Sequence, residues 1–131
     1  MASYWPTETA KRNDPVVAGL MNSLPKIVFS KTLRKVEWEN TMLVKDNFVE
    51  AVSKLKQEAG KDIAIFGSSD LTVSLIQMGL VDEYRVMVNP VILGKGKTLF
   101  QGIPNKLDLK LIKTRIFKSG NVLLYYVPAQ E

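Results

Sequence analysis

The sequence contains neither cysteine nor histidine among its 131 residues. Without cysteine, the chain can form no disulfide, present no thiolate nucleophile and offer no sulfur ligand to a metal. Without histidine, it lacks the usual general base, the usual zinc ligand and any serine–histidine–aspartate triad. Any chemistry must therefore use carboxylates, lysine, tyrosine, hydroxyls, backbone amides or a bound cofactor, and we predict no metal site.

Long apolar runs and runs of basic residues are also missing. No apolar stretch approaches the length needed to cross a bilayer, and residues 1–15 lack a signal-peptide pattern, so we expect a cytoplasmic protein with no membrane partner. The net charge is +5, but the basic residues are scattered and no basic stripe alternates with aromatics. This predicts no nucleic-acid partner. It favours a solvated, lysine-rich surface, with attraction to an anionic ligand such as a nucleotide as the sharper alternative.

The length and composition are those of one globular domain. A chain of 131 residues with 46% hydrophobic and 24% charged residues can bury a substantial core. We therefore expect a single domain over residues 1–131.

Strands and helices are predicted to alternate along residues 14–79. Asp14 can cap a first helix and Pro15 suits its first position. The apolar residues of that helix recur at helical spacing, namely Val16, Val17, Leu20 and Met21. Strands are predicted at 26–30, 41–45 and 62–66, with a helix after each of the last two. This order predicts βαβ units, with a largely parallel sheet and helices outside it.

The helix after residue 45 has two candidate caps. Asp46 or Asn47 can begin it, and Asn47 with Glu50 has the spacing of a capping box. We therefore expect the Asn47 side chain to bind a backbone amide of the first turn.

The sequence pattern is different in the C-terminal part of the chain, where it predicts an antiparallel hairpin. Residues 83–94 are strand-like but are interrupted by Pro90, which cannot donate to a ladder. Leucines alternate along residues 107–117 until the phase slips near Ile112, which predicts a bulge. A turn at 119–121 then leads into the partner strand.

The turn Gly67-Ser68-Ser69-Asp70 lies between a predicted strand and a predicted helix. The amides of a helix's first turn have no intrahelical partner, and glycine lets a phosphate approach them closely. In an α/β sheet such a turn lies at the carboxyl end of a strand, where ligands commonly bind. Ser69 or Asp70 could equally do no more than cap the helix, and the spacing is not G-x-G-x-x-G. The residues alone leave both interpretations open.

A second polar segment, Ser30-Lys31-Thr32, also follows a predicted strand. Two hydroxyls and a cation at a strand end suit the 2′-phosphate of an adenosine ribose. By itself, the segment is more typical of an ordinary polar loop.

Two other motifs do not support a site. Gly94-Lys95-Gly96-Lys97-Thr98 resembles a P-loop, but the glycine that the motif needs five places before Gly96 is Val91, so we exclude nucleotide hydrolysis. The adjacent carboxylates Asp82 and Glu83 would point to opposite faces of a strand, which is unsuitable for an acid–base pair.

Several segments together resemble the dihydrofolate-reductase-like family, in particular its branch with the C-terminal reductase domain of bacterial riboflavin biosynthesis. They are "KIVFSKTL", "GKDIAIFGSSDLTVSLIQMGLVDEYRVMVNPVILGKGKTLF" and "LLYY". The resemblance covers Tyr4-Trp5-Pro6 and most of 26–126. It implies a three-layer α/β/α sandwich, with a mixed, mostly parallel sheet and a C-terminal antiparallel hairpin.

The resemblance also implies NADPH as cofactor, a heterocyclic small-molecule substrate and a homodimer. It assigns Gly67, Ser68, Ser69, Asp70 and Leu71 to the turn that holds the cofactor's pyrophosphate. It assigns Ser30, Lys31 and Thr32 to the segment near the 2′-phosphate. No catalytic residue follows from it. A chain without histidine or cysteine suits this function, because the nicotinamide supplies the hydride.

The sequence departs from the family at its N-terminus. Family members begin with a strand, a substrate-side loop and a helix before the "YWP" region, whereas here Met1 directly precedes it. We therefore expect an N-terminally truncated family member, with another copy or a separate fragment covering the surface left open. Two hypotheses result: an NADPH-dependent reductase acting on a pteridine or a ribosylaminopyrimidine, or a non-catalytic dimeric module that retains the fold.

Overall fold

The computed structural model describes residues 1–58, 60–66 and 69–129, which form two compact units, Met1–Glu58 and Ala59–Glu131. The first unit contains helices α1 (Glu8–Asn13), α2 (Pro15–Ser23) and α3 (Phe48–Gln57), and strands β1 (Lys26–Phe29) and β2 (Thr41–Val44). The second contains helix α4 (Ser69–Gln77) and strands β3 (Tyr84–Val88), β4 (Leu109–Ile116) and β5 (Val122–Pro128). The fold is therefore mixed α/β, with parallel and antiparallel strands, as predicted.

Helix α2 begins where the sequence predicts it. The Asp14 carboxylate accepts a hydrogen bond from the Val17 amide at 3.2 Å, and Pro15 is the first helical residue. Its buried side differs from the prediction, because Ala18 and Asn22 are buried whereas Val16 is 71% exposed. The small side chains Ala10 of α1 and Ala18 are both fully covered. They let the two helices pack closely, and this contact determines which side of α2 is buried.

Helix α1 is an element that the sequence pattern did not predict. Thr7 caps it, because its hydroxyl accepts from the Ala10 amide at 3.2 Å. Glu8 in the first turn and Lys11 in the last complement the helix dipole.

Strands β1 and β2 pair in parallel, with Lys26 opposite Thr41 and Phe29 opposite Val44. Phe29 also meets Phe48 of α3 edge to face, with ring centroids 6.1 Å apart. The capping box predicted for α3 is wrong. Asn47 has a left-handed backbone (φ 53°), and its side chain makes no capping bond. A capping side chain requires an extended backbone at that position.

The second unit contains an antiparallel sheet in the order β3-β5-β4. Its register places Tyr84 opposite Tyr126, Val88 opposite Val122 and Ile116 opposite Val122. The ladder shifts between Leu111 and Lys113, so the bulge predicted near Ile112 is confirmed.

Residues 62–66 do not form the strand that the sequence predicts. The segment is irregular, and Ile63 and Phe66 are 59% and 67% exposed. A strand exists only as part of a hydrogen-bonded ladder, and within the described part of the chain no segment pairs with this one.

Candidate functional site

Ser30 lies directly after β1, and its hydroxyl organises the turn that follows. The Ser30 amide extends the ladder by donating to the Val44 carbonyl at 3.1 Å. The Ser30 Oγ accepts from the amides of Thr32 and Leu33 at 3.3 and 3.2 Å and lies 3.3 Å from Thr32 Oγ1. Ser30, Lys31 and Thr32 are thus brought together in one tight turn at the carboxyl end of a parallel strand.

Lys31 is the cation of this turn. It is exposed, and within the described ranges no ion pair or hydrogen bond engages its ammonium group. Lys35 in the same loop differs, since its Nζ lies 3.6 Å from the Glu37 carboxylate. An ammonium and two hydroxyls are the donors that a phosphate monoester needs, so the turn fits such a group.

The second predicted set falls at the start of α4. Gly67 and Ser68 lie outside the described residues, and the helix begins at Ser69. Asp70 is exposed in the first turn, its carbonyl accepts from the Ser74 hydroxyl at 3.2 Å, and Leu71 is half-buried. Helix onset just after the glycine turn agrees with the sequence pattern. The phosphate contact at this turn stays a prediction.

Asn22 is the buried polar centre of the first unit, and the sequence analysis did not identify it. Its side chain donates to the Trp5 carbonyl at 2.9 Å and accepts from Trp38 Nε1 at 2.7 Å. Its carbonyl accepts from Lys26 Nζ and Asn40 Nδ2, each at 3.1 Å. One residue thereby joins α2 to the N-terminal segment and to the amino ends of both strands of the parallel pair. The spacing from Ala18 to Asn22, one helical turn, was the available signal.

An open pocket of about 330 Å³ borders this centre, lined by Lys11, Pro15, Gly19, Asn22, Ser23, Glu39 and Asn40. Both polar groups of the Asn22 side chain already have partners, so the pocket presents no unsatisfied buried donor or acceptor. Desolvation lowers the pKa of Lys26, partly offset by Glu39, while its ammonium lies 4.5 Å from the Trp38 ring centroid. These features describe a structural centre.

Arg85, Tyr125 and Lys113 form a row across the antiparallel sheet. Arg85 and Lys113 are both opposite Tyr125, and each cation lies 5.1 Å from its ring centroid. Arg85 also donates to the Glu83 carboxylate at 2.7 Å, and this hydrogen bond raises its pKa. Asp82 and Glu83 lie just before β3, and Glu83 is engaged by Arg85.

Metal and membrane features are not found in the part of the chain that the structure describes. Over residues 1–58, 60–66 and 69–129 there is no cluster of acidic side chains that could hold a metal ion. Over the same ranges no helix is long and apolar enough to span a membrane.

The parallel pair and the antiparallel sheet give a mixed α/β fold of the dihydrofolate-reductase-like type. The chain belongs to the RibD C-terminal domain family, whose model matches residues 1–124 and so extends across both units. The resemblance inferred from the sequence motifs is therefore confirmed.

Two curated relatives come from Bacillus subtilis (strain 168). The uncharacterised protein YyaP is 41% identical over 107 residues, covering 82% of this chain and 56% of its own length. The uncharacterised protein YwjB is 31% identical over 102 residues, covering 78% and 58%. The chain thus spans little more than half the length of these relatives.

Two solved structures share the fold. A protein of Shewanella sp. PV-4, provisionally named a riboflavin biosynthesis protein, has a TM-score of 0.71 at 22% identity, covering 91% of this chain and 71% of its own. A pyrimidine reductase-like protein of Corynebacterium diphtheriae has a TM-score of 0.60 at 16% identity, covering 80% and 50%. At these identities the likeness shows the fold alone.

Proposed function

We propose that the chain is an NADPH-dependent reductase that transfers hydride to a pteridine or a ribosylaminopyrimidine. The observation that carries the proposal is the family match over residues 1–124, combined with a turn at the end of β1 that suits a phosphate. The names of the structural neighbours, which refer to riboflavin biosynthesis and to pyrimidine reduction, support the same substrate class.

The 2′-phosphate of the cofactor would bind at Ser30, Lys31 and Thr32. The Ser30 hydroxyl already accepts from the amides of Thr32 and Leu33, which makes those amides less available to a ligand. The 2′-phosphate would therefore be bound mainly by side chains, and the Lys31 ammonium would supply the principal positive charge. A phosphate monoester carries a charge of nearly two at neutral pH, so one lysine matters strongly here.

The pyrophosphate would bind at Gly67, Ser68, Ser69, Asp70 and Leu71. Support comes from the onset of α4 at Ser69, which provides a helix N-terminus with unpaired amides directly after the glycine. The Asp70 carboxylate is unfavourable close to a pyrophosphate, so binding in this turn would depend on backbone amides.

The bound NADPH would supply the hydride, and this chain's residues would hold and orient it. We assign no catalytic side chain. We further propose that both units form one domain, with a heterocyclic small molecule as substrate, and that the protein acts as a cytoplasmic homodimer. Large exposed apolar side chains such as Ile92 and Leu93, 97% and 77% exposed, favour association with another copy. Light scattering that shows only a monomer would contradict the homodimer.

Replacing Lys31 with alanine tests the cofactor proposal. We expect Lys31→Ala to weaken NADPH binding by about tenfold to a hundredfold, because a charge-assisted contact to the 2′-phosphate is lost. NADH, which lacks that phosphate, should bind almost unchanged. Quenching of the two tryptophans and the fluorescence of the reduced nicotinamide both measure the dissociation constants.

Lys35→Ala is the matched control, because Lys35 lies in the same loop but is paired with Glu37. It should leave NADPH binding within about twofold of the original protein, as expected for an exposed ion pair. Equal losses for NADPH and NADH would contradict the placement of Lys31. Absence of NADPH binding at near-millimolar concentration would favour the non-catalytic module instead. Binding without turnover would indicate a protein that still binds the cofactor but does not catalyse the reaction.

A further inference from the structure

Strand β4 is an open edge of the antiparallel sheet. It pairs with β5 on one side only, and all eight of its residues are exposed. Over the described ranges, no strand pairs with its outer side. An edge of this kind presents a row of backbone donors and acceptors that can pair with an extended segment.

The side chains of β4 are sorted by charge between the two faces of the sheet. Residues directly opposite one another share a face, so the register with β5 assigns each residue of β4 to a side. One face carries the cations Lys110, Lys113 and Arg115, together with Tyr125 of β5. The other carries Leu109, Leu111, Thr114 and Ile116. The edge therefore offers alternating basic and apolar positions to a neighbouring strand.

Two of these cations are already held in place by aromatic rings. Lys113 Nζ lies 5.1 Å from the Tyr125 ring centroid, and the Arg115 guanidinium lies 4.7 Å from that of Phe117. Within the described residues neither has a carboxylate partner. Ordered but unneutralised cations lose less side-chain freedom on meeting an anion than free lysine or arginine side chains would.

A second copy of this chain does not suit the edge. Antiparallel pairing of two β4 strands about a twofold axis keeps equivalent faces together, so Lys113 and Arg115 would oppose Lys113 and Arg115 of the other copy. Like charges directly opposite one another destabilise a strand pair. A basic segment is disfavoured for the same reason.

We infer that the Lys113–Ile116 edge of β4 is a docking site for an extended segment of another protein in which acidic and apolar residues alternate. Strand addition would satisfy the outer backbone groups. The acidic residues would lie opposite Lys113 and Arg115, and the apolar ones opposite Thr114 and Ile116. The bulge between Leu111 and Lys113 limits the continuous ladder to this run.

Two labelled peptides test the inference with the whole 131-residue chain. The first, of about eight residues with blocked ends, alternates glutamate and valine; the second has the same composition with all glutamates before all valines. Fluorescence anisotropy should show the alternating peptide binding about tenfold more tightly than the block peptide. Hydrogen exchange at 113–116 should slow only when the alternating peptide is bound.

Charge reversal tests which cations are used. The double variant Lys113→Glu/Arg115→Glu should bind the alternating peptide at least about tenfold more weakly than the original protein does. Lys95→Glu/Lys97→Glu makes the same change of net charge in a loop of the same unit and should retain binding within about twofold. Lys113→Gln/Arg115→Gln only neutralises the cations and should weaken binding of the alternating peptide to an intermediate degree. This variant keeps the test possible if the charge-reversed variant fails to fold.

Three outcomes would overturn the inference. Equal affinity for the two peptides would show that charge alone is recognised. Equal losses in the 113/115 and 95/97 variants would place the contact elsewhere. A single-stranded oligonucleotide that displaces the alternating peptide at equal charge concentration would show a general polyanion surface. None of these measurements involves NADPH.

Discussion

The two units keep their strands in place by different means. In the first unit, β1 and β2 make a short parallel ladder, and hydrogen bonds from Lys26 and Asn40 to the Asn22 main-chain carbonyl tie its amino end to α2. In the second, the longer strands β4 and β5 pair through an antiparallel hairpin joined by a tight turn. The first arrangement includes a contact between residues 18 positions apart in sequence, Asn22 and Asn40, whereas the second depends on neighbouring residues.

The first unit is therefore stabilised by long-range contacts, and the second by local ones. A hairpin can form from neighbouring residues once its turn chemistry is right, whereas a parallel pair needs contacts that close a longer loop. We therefore expect the first unit to be most sensitive at Asn22 and the second at the hairpin turn. The following predictions test that contrast, starting with the largest effect.

Asn22→Leu should lower the free energy of unfolding of the first unit by about 2–3 kcal/mol, because Trp38 Nε1 and the Trp5 carbonyl both lose their partner. The two tryptophans of the chain, Trp5 and Trp38, both lie in this unit. Urea unfolding followed by tryptophan fluorescence therefore measures the effect directly. The exposed Asn13→Ala is the control and should change little; an equal loss in both variants would contradict the role of Asn22.

Gly120→Ala should destabilise the second unit by about 1–2 kcal/mol. Gly120 has a φ of +92°, and a Cβ there would lie 3.3 Å from Pro90 Cγ. A side chain in this conformation is strained. Gly96→Ala is the matched control, because its φ is not positive and open space surrounds the added atom. Hydrogen exchange along β5 compares the two variants, and protection that is equal in both would rule out strain at this turn.

The pH dependence of Tyr84 should give the smallest effect. Burial, aided by Asp82, raises its pKa above 10.0, so the folded state favours the neutral phenol. The stabilisation is complete below pH 10 and is lost as the pH rises through the folded-state pKa. Tyr84→Phe removes the ionisable group but keeps the ring near Phe100.

Urea unfolding of both proteins across this pH range measures the effect. The difference in unfolding free energy between the original protein and Tyr84→Phe should be constant below pH 10 and should shift against the original protein above it. A difference that stays constant throughout would show that the phenol titrates as it does in the unfolded chain.

The parts of the fold that could be predicted from the sequence are those with local signals. Asp14 and Pro15 begin α2, the phase slip marks the bulge near Ile112, and the turn around Gly120 joins the hairpin strands. Residues 62–66 have the composition of a buried strand, but within the described residues no segment pairs with them, and composition cannot supply a partner. The capping box at Asn47 was wrong because side-chain spacing does not determine backbone conformation.

For the candidate site, the binding role of the residues chosen from the sequence stays a prediction, and only their local geometry can be compared. Family motifs located Ser30, Lys31 and Thr32, and the structure forms them into one turn. They did not reveal that Ser30 engages two amides of that turn, which depends on the backbone path after β1. The basic edge of β4 was missed because the bulge hides its alternation in the sequence.

The bulge residue Ile112 determines on which face of the sheet the following side chains of β4 lie. In a regular strand, Lys110 would face opposite to Lys113 and Arg115, because successive side chains alternate. The bulge resets this parity and gathers all three on one surface. A deletion of Ile112 would straighten the strand yet leave this sorting intact, because Lys110 and Lys113 would then be two positions apart and would share a face. The common surface of the three cations therefore depends on the bulge only while the spacing between Lys110 and Lys113 is odd.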